Sequence, residues 1–311
     1  MRMHWKAWSM VALLLLAVSM VAQQGPINPK QVALLRWYPA NQITSFSVSG
    51  PSVSGSIAFD GANIWVMNST TYSVIKLRAS DGAVLATFTL HGRGPNGVAF
   101  DGANIWVSGG NEVTELRASD GAELRIILED SGAYGVAFDG ANIWVTGIAH
   151  NTVTKVRASD GVILGTFTVG SFPTGLAFDG ANMWVTSGGS DTVTKLRASD
   201  GANLGTFNVG SYAEAAAFDG ANIWVASTFG TVTKLRASDG ANLGTFRVGE
   251  DADAVAFDGA NIWVAGSEGT LSKLRASDGT LLGTFAVGAA TGVAFDGANI
   301  WVNAGETISK M

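Results

Sequence analysis

The chain has 311 residues, of which 47% are hydrophobic and 14% are charged, and its formal net charge is −6. An acidic chain without a basic stripe cannot neutralise phosphates, so this composition argues against a protein that binds nucleic acid or a membrane surface. The sequence contains no cysteine, which excludes disulfides, a lipid-attachment cysteine and metal sites with cysteine ligands.

The first 22 residues are typical of a secretory signal peptide. Arg2 and Lys6 precede an apolar run over residues 11–21 that ends among small residues. This run is about half as long as the roughly 20 residues that a bilayer-spanning helix requires. We therefore predict an exported protein, periplasmic or extracellular, in which residues 23–311 form one domain that does not insert into the membrane. An uncleaved N-terminal anchor is the alternative.

The octapeptide FDGANIWV dominates the rest of the chain. Its copies are spaced by 38 to 41 residues, and one copy has methionine in place of isoleucine, at Met183. They begin at Phe59, Phe100, Phe138, Phe178, Phe218, Phe257 and Phe295. Self-similarity at this period is typical of repeat architectures, in which each unit buries its apolar faces against its neighbours. Seven copies predict seven structural units in one continuous domain.

Each unit has the pattern of four short β-strands. In the fourth unit the runs GLAF, NMWV, TVTKLR and LGTFNV are separated by clusters of Gly, Asp, Asn and Ser. No apolar period of 3.6 residues persists, and β-branched and aromatic residues fill the runs. The first two runs carry no charge, whereas Lys195 and Arg197 in the third run should lie near water. The first strand is therefore predicted to be innermost and the fourth outermost.

The two ends of the chain carry complementary halves of one repeat. The C-terminal TISKM matches TVTKL and stops before the turn and the outer strand. Near the other end, Arg36 stands ten residues before Phe46, as Arg197 stands before Phe207. A ring closed by strands from both termini leaves no exposed sheet edge between blades. We predict an all-β, seven-bladed β-propeller with four antiparallel strands per blade, whose last blade takes its outer strand from residues 43–48.

The repeats TVTKLRASDGANLGTF and PTGLAFDGANMWVTS resemble the YVTN and NHL families of propeller repeat and are similar to streptogramin-lyase-type propellers. The resemblance covers residues 31–311. It implies a propeller with a central channel and loops at the mouth of that channel. It does not imply one activity, since these families include lyases, lactonases, surface-layer proteins and scaffolds.

The repeated residues are predicted to be structural. A tryptophan on the second strand of each unit should fill the gap to the next blade. These residues are Trp65, Trp106, Trp144, Trp184, Trp224, Trp263 and Trp301. The Asp-Gly pairs supply hairpin turns, with Gly at positive φ and Asp bonded to its local backbone, and do not predict calcium sites.

The loops divide into two sets, because consecutive strands run in opposite directions. The FDGAN and ASDG turns share one face of the disc, the constant face, and the remaining connections share the other, the variable face. Binding residues preferentially lie on variable loops held by a rigid scaffold. Ten acidic residues fall in variable-face loops, where only Arg93 opposes them: Glu112, Glu129, Asp130, Asp191, Glu214, Glu250, Asp251, Asp253, Glu268 and Glu306.

Five of these acids form a predicted ligand-binding site. Glu214 and Asp253 occupy equivalent positions just before two neighbouring inner strands, and Glu250, Asp251 and Glu268 are close in sequence. By resemblance to the propeller families, that position borders the channel mouth. Converging carboxylates could hold Ca²⁺ or attract a cationic small molecule or a cationic protein. Alternatively, the acidity only keeps an exported propeller in solution.

An enzymatic site is the second hypothesis. His91 and His150 lie on the variable face, and Glu129 and Asp130 enter the third blade beside them, so a histidine could act as general base with a carboxylate orienting it. The sequence thus leaves open three functions: a ligand- or protein-binding propeller, a lyase- or lactonase-like enzyme, and a structural, surface-associated propeller.

Overall fold

The computed structural model of the chain describes residues 44–48, 53–91, 94–128 and 132–311. These residues form 28 β-strands, arranged in seven four-stranded antiparallel sheets, and contain no helix that could cross a membrane. The predicted all-β propeller with seven blades is therefore confirmed. The predicted signal peptide, residues 1–22, and the predicted start of the domain at residue 23 lie outside the described residues.

The first six blades each take four consecutive strands, from the innermost to the outermost. Blade 1 contains β2 (Val53–Phe59), β3 (Asn63–Asn68), β4 (Ser73–Arg78) and β5 (Val84–Thr89). Blade 2 contains β6 (Pro95–Phe100), β7 (Asn104–Gly109), β8 (Glu112–Arg117) and β9 (Glu123–Leu128). Blade 3 contains β10 (Ala133–Phe138), β11 (Asn142–Gly147), β12 (Thr152–Arg157) and β13 (Ile163–Thr168).

The next three blades repeat the same order. Blade 4 contains β14 (Pro173–Phe178), β15 (Asn182–Ser187), β16 (Thr192–Arg197) and β17 (Asn203–Asn208). Blade 5 contains β18 (Ala213–Phe218), β19 (Asn222–Ser227), β20 (Thr231–Arg236) and β21 (Asn242–Arg247). Blade 6 contains β22 (Ala254–Phe257), β23 (Asn261–Gly266), β24 (Thr270–Arg275) and β25 (Leu281–Ala286).

Blade 7 is built from both ends of the chain, as predicted. Its strands are β26 (Gly292–Phe295), β27 (Ile300–Ala304), β28 (Thr307–Lys310) and, outermost, β1 (Thr44–Ser47). Phe46 of β1 lies opposite Ile308 of β28 and stacks on Trp301, with 5.8 Å between ring centroids. Arg36, whose spacing to Phe46 supported the predicted closure, and Ile43, the predicted first residue of the outer strand, lie outside the described residues.

The core lies between the blades. Trp65 of blade 1 is fully buried against Ile105 and Val107 of blade 2, and it stacks on Phe88 with 5.6 Å between centroids. The uncharged second strand is buried on both faces, while the outermost strand alternates between exposed and half-buried residues. The predicted structural role of the repeated tryptophans is confirmed, because their large apolar rings fill the space between neighbouring sheets.

The repeated lysines join one blade to the next. Lys195 was expected near water, but it is 7% exposed, and its Nζ donates to the carbonyl of Ala237 in blade 5 at 2.7 Å. The same ammonium lies over the ring of Trp184, 5.1 Å from the centroid. The expectation was wrong for this residue because the carbonyl and the aromatic face replace the water that a buried ammonium loses. Arg197 is exposed, as expected, and pairs with Asp200 at 2.9 Å.

Candidate ligand-binding channel

The innermost strands of all seven blades line one cavity of about 290 Å³. Three consecutive positions of each blade contribute to it, beginning four residues before the phenylalanine of each FDGAN turn. The first position varies most and carries Gly55, Asn96, Tyr134, Thr174, Glu214, Asp253 and Thr291. The second position is small and carries Ser56, Gly97, Gly135, Gly175, Ala215, Ala254 and Gly292. The third position is aliphatic and carries Ile57, Val98, Val136, Leu176, Ala216, Val255 and Val293.

The direction of the inner strands places the variable position at the variable face. Each inner strand runs from that face to the FDGAN turn on the constant face, so its first residues border the mouth of the channel. Polar and charged side chains therefore ring the mouth, and aliphatic side chains line the channel further in. This arrangement resembles a small ligand pocket, which is largely apolar with a few polar groups that set orientation.

Glu214 and Asp253 meet at this mouth. Burial, and to a smaller extent the nearby Asp253 carboxylate, raises the pKa of Glu214 to about 7. Burial also raises the pKa of Asp253, although hydrogen bonds from Ser267 oppose that rise. The two acids lie in neighbouring blades, so the closed ring brings together carboxylates that are 39 residues apart in sequence.

Tyr134 shares the cavity with both acids. Burial raises the pKa of its hydroxyl, and the Glu214 and Asp253 carboxylates add to that effect. The residues that line the cavity include no lysine, arginine or histidine. The lining thus combines two carboxylates and one aromatic side chain without a base.

Hydrogen bonds between blades and within blade 6 hold these mouth residues in place. The hydroxyl of Ser108 in blade 2 donates to the carbonyl of Tyr134, and the hydroxyl of Thr186 in blade 4 donates to the carbonyl of Glu214 at 3.1 Å. The backbone N–H of Ser267 donates to an Asp253 carboxylate oxygen at 2.8 Å. The backbones of Tyr134 and Glu214 are thus held by neighbouring blades, and the Asp253 carboxylate is held by a loop of its own blade.

The other predicted ligand-binding acids lie outside the cavity lining. Asp251 accepts a hydrogen bond from the hydroxyl of Ser267 at 2.7 Å, while Glu250 and Glu268 are exposed. No group of three or more His, Asp or Glu within the described ranges is arranged to hold a metal ion. A calcium site at the channel therefore has no such ligand set among these residues.

The two predicted catalytic histidines lie away from the channel lining. His91 and His150 are both exposed, and neither lines the cavity. Glu129 and Asp130 lie outside the described residues, as does Arg93, the one base predicted to oppose the acids.

Sequence reasoning missed Tyr134 as a site residue. The signal was present, because Tyr134 stands four residues before Phe138, as Glu214 stands four residues before Phe218. Comparison of that one position across all seven repeats would have found it.

A family model described as "Outer membrane protein assembly factor BamB" matches residues 189–307. This segment runs from the loop between β15 and β16 into blade 7, so the match covers under half of the chain. It supports a propeller repeat similar to that of the BamB family and does not distinguish a YVTN, NHL or streptogramin-lyase relationship. No curated protein matches the chain.

Proposed function

We propose that the protein is an exported binding propeller that holds a cationic group of its ligand in the acidic channel mouth. The observation that carries this proposal is the placement of Glu214 and Asp253 in one small cavity whose lining includes no base. Two carboxylates held close together in a partly desolvated site repel each other, and a cation between them converts that repulsion into attraction.

The size and shape of the cavity define the ligand group. A volume of about 290 Å³ lies at the lower end of the range for small-molecule sites, about 300 to 1,000 Å³. The bound group is therefore a small cation or a single side chain of a larger partner. In this proposal the carboxylates of Glu214 and Asp253 pair with its charge, and the ring of Tyr134 contributes a cation–π contact.

Binding in this mode is linked to protons. The pKa of Glu214 is about 7 without a ligand, and a bound cation lowers it because it favours the ionised carboxylate. Affinity is therefore highest above pH 7 and falls as the pH drops below 7, where Glu214 must release its proton before the cation binds.

The test is calorimetric titration with n-butylguanidinium chloride at pH 8 and at pH 5.5. We expect binding at pH 8, weaker binding at pH 5.5, and a loss of about tenfold or more in affinity at pH 8 for the double variant Glu214→Gln, Asp253→Asn. The matched control is Glu250→Gln with Glu268→Gln, which removes two charges from exposed positions and should keep the wild-type affinity. Equal losses in both double variants would show that only the general acidity of the face matters and would contradict the proposal.

The comparisons fit this proposal in a general way. The matching family is named for outer-membrane protein assembly, and a binding propeller in an exported location agrees with that name and with the predicted signal peptide. The lyase- or lactonase-like alternative stays a prediction: His91 and His150 lie exposed away from the channel lining, and their predicted carboxylate partners lie outside the described residues. The structural, surface-associated role also stays a prediction.

A further inference from the structure

Three large aromatic side chains lie exposed on the variable face of blades 4 and 5. Phe172, Tyr212 and Phe229, the aromatic rim, are 41%, 48% and 63% exposed. Phe172 and Tyr212 stand two residues before Thr174 and Glu214, which line the channel. Both residues lie in the loops that lead into the inner strands β14 and β18, so the rim adjoins the channel-lining residues along the chain and lies on the face where the channel opens.

The backbone that carries two rim residues is strained. Phe172 and Tyr212 have φ values of 53° and 57°, in the left-handed region that bulky residues rarely adopt, and Gly132 occupies the equivalent position in blade 3 with φ of 71°. The backbone N–H of Phe172 donates to the side-chain oxygen of Asn151 at 3.0 Å, and that of Tyr212 donates to Asp191 at 2.8 Å. The chain therefore displays aromatic rings where glycine would be accommodated at a lower conformational cost.

The loops of the rim are joined to one another. The carbonyl of Phe172 accepts a hydrogen bond from the N–H of Gly188 at 3.0 Å. The ring of Tyr212 lies beside the same glycine, since a Cβ added to Gly188 would be 3.4 Å from Tyr212 Cδ1. The carbonyl of Tyr212 in turn accepts from the N–H of Thr228 at 3.0 Å, next to Phe229. The loops that carry the three rings are thus joined to one another across two blades.

An uncharged depression extends the patch toward the outer edge of blade 5. Phe229 lines it together with Asn208, Ser211 and Thr231, and its volume is about 570 Å³. Its lining residues carry no charge. The depression beside the rim is thus neutral, although the carboxylates of Asp191 and Glu250 belong to the adjoining loops.

We propose that the aromatic rim and the channel mouth together bind a polypeptide segment in which one arginine or lysine is flanked by apolar residues. This inference rests on the proposed function and names its ligand class. The basic side chain enters the channel, whose volume admits little more, and the flanking residues pack on the rim. Charge complementarity selects this occupant, because the surface offers one anionic cavity beside an exposed aromatic patch. A lone small cation held in the cavity would leave the rim without a contact.

The test compares two probes at pH 8, n-butylguanidinium and an acetylated, amidated pentapeptide with a central arginine between leucines. We expect the pentapeptide to bind about tenfold or more tightly than n-butylguanidinium. The double variant Phe172→Gly, Tyr212→Gly, which copies the glycine of blade 3, should lose this gain and keep the wild-type affinity for n-butylguanidinium. The matched control is Tyr72→Gly, which removes an equally exposed aromatic residue with φ of 51° from the variable face of blade 1.

Other outcomes would contradict either the peptide inference alone or the proposed function as well. If the pentapeptide binds no more tightly than n-butylguanidinium or tetramethylammonium, or if the Tyr72 variant loses as much affinity as the rim variant, the peptide inference is wrong and the cation site stands. If Glu214→Gln with Asp253→Asn leaves the affinity for both probes unchanged, the proposed function itself is wrong, and the peptide inference falls with it.

Discussion

A single residue type can serve the local turn and the core at once. In the FDGAN turn of blade 1, one oxygen of Asp60 accepts the backbone N–H groups of Ala62 and Asn63, which was predicted from the Asp-Gly pair. The other oxygen accepts the indole N–H of Trp65 at 2.8 Å. Burial alone would raise the pKa of Asp60, but these hydrogen bonds hold it below its usual value. The aspartate therefore orients the tryptophan that fills the gap between blades.

Glu214 has the opposite balance, which gives a prediction for stability. Its pKa of about 7 exceeds the usual 4.5, so between these values the native state binds more protons than the unfolded state, and stability falls as the pH rises through that window. We expect Glu214→Gln to raise the free energy of unfolding at pH 8 by up to about 3 kcal/mol and to change it by less than about 0.5 kcal/mol at pH 4.5. Chemical denaturation at both values measures this.

The control is Glu250→Gln, an exposed acid on the same face, which should leave the difference between the two pH values unchanged. An equal effect of Glu214→Gln at pH 8 and pH 4.5 would show that the glutamate is not held in an unfavourable ionised state.

One blade departs from the repeat in two compensating positions. In blade 2, Glu115 occupies the place of the repeated lysine on the third strand, and Arg125 on β9 occupies the place of a glycine or alanine. Glu115 is 2% exposed, and its carboxylate lies 2.7 Å from Arg125 Nε and accepts from the amide of Asn104 at 2.8 Å. The guanidinium of Arg125 donates to the carbonyl of Ser159 at 3.4 Å, a contact that Lys155 makes with Ser199 one blade later. The cation that links blade 2 to blade 3 is therefore Arg125 on the outer strand, instead of a lysine on the third strand.

This exchange predicts a double-mutant cycle. Arg125→Gly leaves a buried carboxylate without its counter-charge, and Glu115→Lys places two cations together, so each should lower the free energy of unfolding by about 2 to 4 kcal/mol. The double variant restores the lysine and glycine of the other blades and should recover most of that loss. Urea denaturation of the four proteins measures the coupling, and additive losses would contradict the proposed exchange of roles.

At the scale of the whole molecule, the ring is closed by the short strand β1. Only β1 supplies the outer strand of blade 7, through four paired residues. Phe46 places its ring on Trp301, as Phe88 does on Trp65 within blade 1. Nearer the channel, between blades 7 and 1, the side-chain amide of Asn303 donates to the carbonyl of Gly55 at 2.5 Å. Strand β1 is thus held in blade 7 by the same aromatic contact that occurs within blade 1, and a hydrogen bond near the channel joins blade 7 to blade 1.

Closure predicts that Phe46→Ala and Phe88→Ala are equally costly, each by about 3 to 4 kcal/mol, because each empties the same site beside a buried tryptophan. Each should lower the melting temperature by several degrees or more, as measured by calorimetry. A chain without residues 23–50 should be less stable still and should aggregate through the exposed edge of β28. A Phe46 variant as stable as the wild type, or a monomeric deletion variant with unchanged melting temperature, would contradict the closed ring.

Local periodicity determined most of the fold. The FDGANIWV copies, the alternation of β-prone runs with turn residues, and the complementary half-repeats were enough to predict seven blades, their strand order and the closure by β1. These features depend on turn formation and strand propensity within each repeat, and every copy of the repeat shows them again. The lysine of the third strand was misjudged because the carbonyl that it reaches belongs to the next blade, some 42 residues away.

The tertiary structure alone decided which acids form a site. Five carboxylates were predicted to form the site, but only Glu214 and Asp253 line the channel, while Glu250 and Glu268 are exposed and Asp251 bonds a loop serine. Tyr134 joins them from blade 3; its spacing from Phe138 marks it as an equivalent position, but only the ring shows that these equivalent positions share one cavity. Ring closure brings equivalent positions of all seven blades to one axis, and burial at that axis sets the pKa of Glu214. Both effects depend on distances between blades, which a one-dimensional pattern does not contain.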